Sequence, residues 1–247
     1  MDLQDQFIID IELLKEEIED SLKYPYNLDS IKNLDVLSLH KNVTFIAWEN
    51  WTGKSTLLEA IAVSYWFNPE WGSKNLHFST KSTHSDLHKK LRISKWYRFP
   101  KDWYFLRAES FYNVATDIDR IAIDDASILD WYGWKSLHEQ SHWESFFSLF
   151  SQRFWDEGLY ILDEPEAALS PQKLLAFLVK LDELVKWNSQ FIITTHSPIL
   201  LAYPHSKIYE ATSWGFVEKQ YNDLEQITLY KDFLNNPEYM CKKLGII

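Results

Sequence analysis

The chain has 247 residues, 46% hydrophobic and 25% charged, with a formal net charge of −11. That leaves ample material for a core and argues against a broad basic face for nucleic acid. A local patch such as Lys89-Lys-Leu-Arg92 remains possible, but reads first as a solvated helix face. One cysteine, Cys241, excludes an internal disulfide and suits a reducing compartment; no apolar run nears the ~20 residues that span a bilayer, so the expectation is a cytoplasmic protein with no membrane insertion.

In chain order, Asp2–Leu22 places Ile8, Ile11, Leu14 and Ile18 on one helical face, so residues 1–23 are expected to form an amphipathic helix ahead of one domain, 24–247. No Pro/Gly/Ser-rich spacer divides the rest. Val43-Thr-Phe-Ile-Ala47 reads as a buried strand. After it comes Trp48-Glu-Asn-Trp-Thr-Gly-Lys-Ser-Thr56, the end of a phosphate-binding (Walker A) pattern with Gly53, Lys54 and Ser55 in place. Such a loop cradles phosphates with backbone N–H groups while its lysine reaches the β- and γ-phosphates. Leu57, Leu58, Ala60, Ile61, Ala62 and Tyr65 then mark a helix, so any phosphate would sit at a helix N-terminus.

Further on, the strand pattern Leu159-Tyr-Ile-Leu162 ends in Asp163-Glu164-Pro165-Glu166. A hydrophobic strand ending in Asp-Glu is a Walker B arrangement, in which Asp163 together with the Ser55 hydroxyl would anchor Mg²⁺ and Glu164 would polarise the attacking water. Glu164, Pro165 and Glu166 suit the first turn of a helix equally well, and the catalytic reading wins only beside a phosphate loop. Phe191-Ile-Ile-Thr-Thr195 is another buried strand, ending at His196. The interval from Glu164 leaves room for one helix, about 171–187, and a return strand, which puts both strand ends on one sheet edge.

The chain resembles ABC-type ATPases, specifically the compact cytosolic branch labelled AAA-family ATPase and related to chromosome-maintenance and recombination ATPase heads. The carrying stretches are Glu49–Ala60, Phe105–Phe111, Lys135–His142, Tyr160–Pro171 and Gln190–Pro198. The resemblance implies an α/β P-loop NTPase fold. Its mainly parallel sheet would be flanked by helices, with an N-terminal antiparallel portion and a helical insertion around residues 75–150. It implies an ATP pocket lined by Trp48, Glu49, Asn50, Trp51, Thr52, Gly53, Lys54, Ser55 and Thr56. Mg²⁺ would lie on Ser55 and Asp163, with Glu164 as general base and His196 as switch histidine. Ser141-His-Trp-Glu144 matches the signature motif, so Ser141, Trp143 and Glu144 would cap ATP held by a second subunit in a head-to-tail, ATP-sandwiched homodimer. Ala167–Ser170 falls at the D-loop and Glu109 near the Q-loop. The implied activity is ATP hydrolysis to ADP and phosphate. A nucleotide-free adaptor and the energising subunit of a transporter are the alternatives, the latter disfavoured by the signature's departure from L-S-G-G-Q.

The pattern breaks at its glycines. Glycine averages about 7% of residues, yet only 6 are present, against 12 tryptophans. Trp48, Trp51 and Trp143 occupy motif glycine positions; Trp66, Trp71, Trp134, Trp155 and Trp187 fall where glycine is expected, and Trp96, Trp103 and Trp214 lie in turn-like contexts. Indoles in a phosphate loop would block both positive φ and close backbone approach. Decay to a pseudo-ATPase should also have damaged Lys54, Asp163, Glu164 and His196, which are intact. The favoured explanation is UGA codons rendered as tryptophan where the source genome reads them as glycine.

Overall fold

The computed structural model describes residues 6–47, 53–65, 72–73, 85–107, 150 and 154–246. The described strands are β1 (Ile8–Leu13), β2 (Val36–Ser38), β3 (Val43–Ala47), β4 (Gly72–Ser73), β5 (Leu91–Lys95), β6 (Asp102–Arg107), β7 (Gly158–Asp163), β8 (Gln190–Thr194), β9 (Ser206–Thr212) and β10 (Gly215–Lys219). The described α-helices are α1 (Asp29–Lys32), α2 (Lys54–Ser64), α3 (Pro171–Lys186), α4 (Pro198–Leu201), α5 (Glu225–Asn235) and α6 (Pro237–Lys243).

Seven strands form the main sheet in the order β10-β9-β3-β8-β7-β6-β4. The five from β9 to β6 are parallel, and only the edge strands β10 and β4 run antiparallel. Parallel strands covered on both faces must be apolar throughout, and every residue of β3, β7 and β8 is buried. On one face α3 packs Leu174, Phe177, Leu181 and Leu184 against Phe45, Tyr160, Leu162 and Phe191. Fully burying each such side chain contributes about 1.5–3 kcal/mol. The other face carries Ile46, Ile161 and Ile192 against Leu57, Leu58 and Ile61 of α2, together with a small antiparallel sheet ordered β2-β1-β5. Pro171 opens α3 and Asn188, at φ 61°, lies just past its end, close to the expected 171–187.

The α/β fold with a mainly parallel sheet and an antiparallel portion near the N-terminus is as expected from sequence. The N-terminal helix is not. Ile8–Leu13 is a central strand, followed by a short 3-10 turn at Lys15–Glu17. The misleading cue was the three-residue spacing of Ile8 and Ile11. A register shift between Ile8 and Asp10 against β5 lets both be buried despite that spacing, mimicking a helical period. Of the helical insertion expected around 75–150, the described part at 85–107 holds a 3-10 turn and the strands β5 and β6. The run Trp103-Tyr-Phe-Leu106 favours a buried strand there. Residues 108–149 lie outside the described residues.

Gln190 joins the two sheets. Its Oε1 accepts from the amides of Phe7 and Ile8, both at 2.9 Å, and its Nε2 donates to the carbonyls of Ile8 at 2.9 Å and His40 at 3.0 Å.

Candidate functional site

The first part of the site is the strand-to-helix junction after β3. Gly53 sits at φ +87°, a left-handed conformation that favours glycine, and a Cβ there would press on the terminal methyl of Leu28. Lys54 opens α2, and Leu57 N–H closes the first turn on the Gly53 carbonyl at 3.0 Å. Ser55 is half-buried in that turn. Thr56 shares a 2.5 Å hydrogen bond with the Tyr24 hydroxyl. Trp48, Glu49, Asn50, Trp51 and Thr52 lie outside the described residues, as do Ser141, Trp143, Glu144 and Glu109.

The second part is made by the adjacent ends of β7 and β8. Asp163 is 6% exposed and opposes Thr194 in register. The Thr194 hydroxyl donates to Asp163 Oδ1 at 2.6 Å, while Thr194 also accepts the Glu164 amide through its carbonyl at 3.1 Å and its Oγ1 at 3.3 Å. One threonine thus fixes both consecutive acidic residues. Arg107, at the end of β6, stands opposite Asp163 on the other side. Its Nη1 donates to Glu59 of α2 at 2.9 Å and its Nε lies 3.8 Å from Asp163 Oδ2. Through Arg107 the acidic strand end faces the helix that begins with Lys54.

The third part is a His–Glu cluster. Glu164 adopts a left-handed conformation, φ 51° and ψ 53°, unusual for a non-glycine residue, directly after β7. Its Oε1 lies 3.5 Å from His196 Nε2. The Glu166 carboxylate accepts the His196 backbone N–H at 2.6 Å, leaving its buried Oε2 without a hydrogen-bond partner among the described residues. Burial pushes the Glu166 carboxyl above the usual range, against the His196 amide and the Thr195 hydroxyl, which favour the charged form; the neighbouring Glu164 adds to the rise. The Thr195 amide donates to the Ile46 carbonyl at 3.2 Å, tying this corner to β3.

Among the described residues no group of three or more His, Cys, Asp or Glu could hold a metal ion unaided. Mg²⁺ takes one or two carboxylates or hydroxyls from a protein and completes its shell with phosphates and water. Asp163 and Ser55 supply such hard oxygens. The structure therefore brings Asp163, Glu164 and His196 together; sequence reasoning missed Arg107, Glu59, Thr194 and the role of Glu166 at the same edge.

The tryptophans divide. Trp96, Trp103, Trp155, Trp187 and Trp214 are described, and none has a left-handed φ, so none needs glycine's backbone freedom. Trp155, Trp187 and Trp214 are nevertheless 50%, 52% and 86% exposed, unusual for so large an apolar ring. Trp66, Trp71 and Trp134 lie outside the described residues.

Against known proteins, residues 145–202 match the family described as "AAA domain, putative AbiEii toxin, Type IV TA system". That segment spans both strand ends of the site. No match is found among curated proteins. Among solved structures, cbiO1 from Clostridium perfringens, part of the ABC transporter complex cbiONQ, is similar with a TM-score of 0.50 and 17% identity, covering 95% of this chain and 97% of that one. The SMC head domain from Thermotoga maritima is similar with a TM-score of 0.47 and 15% identity, covering 87% of this chain and 99% of that one. At the level of fold, the chain is an α/β domain similar to the ABC transporter subunit cbiO1. The resemblance read from the motifs is borne out at that level. Among the described residues no helix is long and apolar enough to cross a membrane.

Proposed function

We propose that this chain binds ATP with Mg²⁺ and hydrolyses it to ADP and phosphate in a head-to-tail homodimer. The observation that carries the reading is the junction of β7 and β8: the Glu164 carboxylate 3.5 Å from the His196 ring, beside an Asp163 held by Thr194. In this reading the Lys54 side chain and the α2 N-terminus bind the phosphates. Asp163 and Ser55 hold Mg²⁺, which when bound neutralises charge on the phosphate oxygens. Glu164 takes the proton of the attacking water as it adds to the γ-phosphorus, and ADP leaves. His196 orients Glu164 and the water, its own position set through its backbone by Glu166. Ser141, Trp143 and Glu144 belong to the face offered to the other subunit's nucleotide.

Trp48 and Trp51 favour a second reading, a non-hydrolysing adaptor that docks partners through the same surface. One experiment separates the two. In a chain carrying Trp48→Gly, Trp51→Gly and Trp143→Gly, Glu164→Gln should abolish phosphate release while trapping ATP and a dimer, read by equilibrium binding and light scattering. Absence of nucleotide binding by the glycine-bearing chain would leave the adaptor. The coding DNA decides the recoding explanation: UGG at positions 48, 51 and 143 would overturn it.

A further inference from the structure

Among the described residues, a fixed cation stands beside the Asp163 carboxylate. Thr194 donates to Oδ1, which leaves Oδ2 the less engaged oxygen among the described residues, and Arg107 Nε approaches Oδ2 to 3.8 Å. That separation is too long for a hydrogen bond, so the contact is electrostatic proximity rather than a bonded clamp. The bonded partner of the guanidinium is Glu59 at 2.9 Å. Side-chain exposures are 23% for Arg107, 15% for Glu59 and 7% for Asp163, so solvent screens these charges weakly. A guanidinium does not lose its proton in a protein, and the charge therefore cannot titrate away. A divalent cation arriving alone at Oδ2 meets a like charge held in place from α2. A cation arriving with phosphates brings the compensating negative charge along.

We infer that Arg107 makes metal binding at Asp163 conditional on nucleotide. While the phosphates are absent the guanidinium serves as the counter-charge of the aspartate and repels free divalent cations; bound phosphates remove that penalty. Arg107 is thus a positioning and gating residue, and Glu59 is the anchor that keeps its charge at the site. This rests on the nucleotide reading above and names the residue pair whose charges set the metal's dependence on phosphate.

The test is Mn²⁺ binding, measured by electron paramagnetic resonance with and without ATP, in the Trp48→Gly, Trp51→Gly background. The key variant is Arg107→Gln with Glu59→Gln, which leaves net charge unchanged and frees no carboxylate to act as a new ligand. It should bind Mn²⁺ alone more tightly, by less than the roughly tenfold expected for removing a like charge by itself, because the lost Glu59 carboxylate offsets part of the gain. The factor by which ATP raises Mn²⁺ affinity should shrink correspondingly. Glu59→Gln alone should move Mn²⁺ affinity the other way, and carries the test if the double variant does not fold. Mn²⁺ affinity equal to that of the parent, or a gain of the same size with and without ATP, overturns the inference. If ATP fails to raise Mn²⁺ affinity in the parent itself, the nucleotide reading falls first and takes the inference with it.

Discussion

The two ends of β7 each carry a glutamate in the left-handed region, Glu157 at φ 54° just before the strand and Glu164 at φ 51° just after it. Their surroundings are opposite. Glu157 pairs with Arg98 at 2.8 Å and Lys101 at 3.2 Å, and the Arg98 hydrogen bond leads in holding its carboxyl below the usual range. Nearby, the buried Tyr160 hydroxyl donates to the Trp155 carbonyl at 2.8 Å and accepts its amide at 2.7 Å, and Gly158 N–H donates to Ser189 at 3.1 Å. At the other end Glu164 faces a histidine and lies near Glu166, whose carboxyl is driven up by burial. One end satisfies its charges; the other crowds carboxylates around a histidine. Open parallel sheets place ligand sites at the carboxyl ends of their strands, and the polar accounting here agrees with that rule.

The sharpest way to break the contrast is at the satisfied end. A Cβ on Gly158 would strike the Tyr160 ring, which is stacked on Phe154 at 4.1 Å and cannot retreat. Gly158→Ala should therefore cost about 3 kcal/mol in urea unfolding, and a variant as stable as the parent would show that this end is loosely packed. At the functional end, Thr194→Val keeps the shape but strips Asp163 Oδ1 of its donor. It should cost about 1–2 kcal/mol and reduce phosphate release far more than that loss of stability would explain; unchanged turnover would remove Thr194 from the site.

The smallest effect is the most diagnostic, because its sign differs between the ends. Glu157 has a lowered pKa in the fold, so its contribution is present above the unfolded value of about 4.3 and is lost as pH falls through the folded value. Glu166 has a raised one, so its contribution is full below about 4.3 and is lost as pH rises through the folded value. At neutral pH Glu157→Gln should lower the melting temperature and Glu166→Gln should raise it, with both differences closing in acid. Shifts of the same sign would dissolve the comparison.

Placement was legible wherever residues that meet are close in sequence: Gly53-Lys54-Ser55 at a strand-to-helix turn, and Asp163-Glu164 and His196 at adjacent strand ends. The hydrophobic runs of β3, β7 and β8 and the helix α3 were equally plain. What could not be read is the lateral chemistry. Thr194 touches Asp163 only because β7 and β8 pair in that register, and Arg107 finds Glu59 and Asp163 only through the placement of β6 beside α2. A pattern search along one segment has no term for such neighbours. The N-terminal misreading had another origin: a shifted register gives a strand the spacing of a helix.

Gln190 has a consequence for how the molecule holds its shape. A carboxamide offers two acceptor lone pairs and two donors, and here all four are taken, by Phe7, Ile8 and His40. One side chain thereby imitates a piece of backbone, grafting the small sheet onto the strand whose far tip leads to His196. Glutamate in that place would confront two carbonyls with a group that has nothing to donate, so the carboxamide nitrogen is the rivet of the joint.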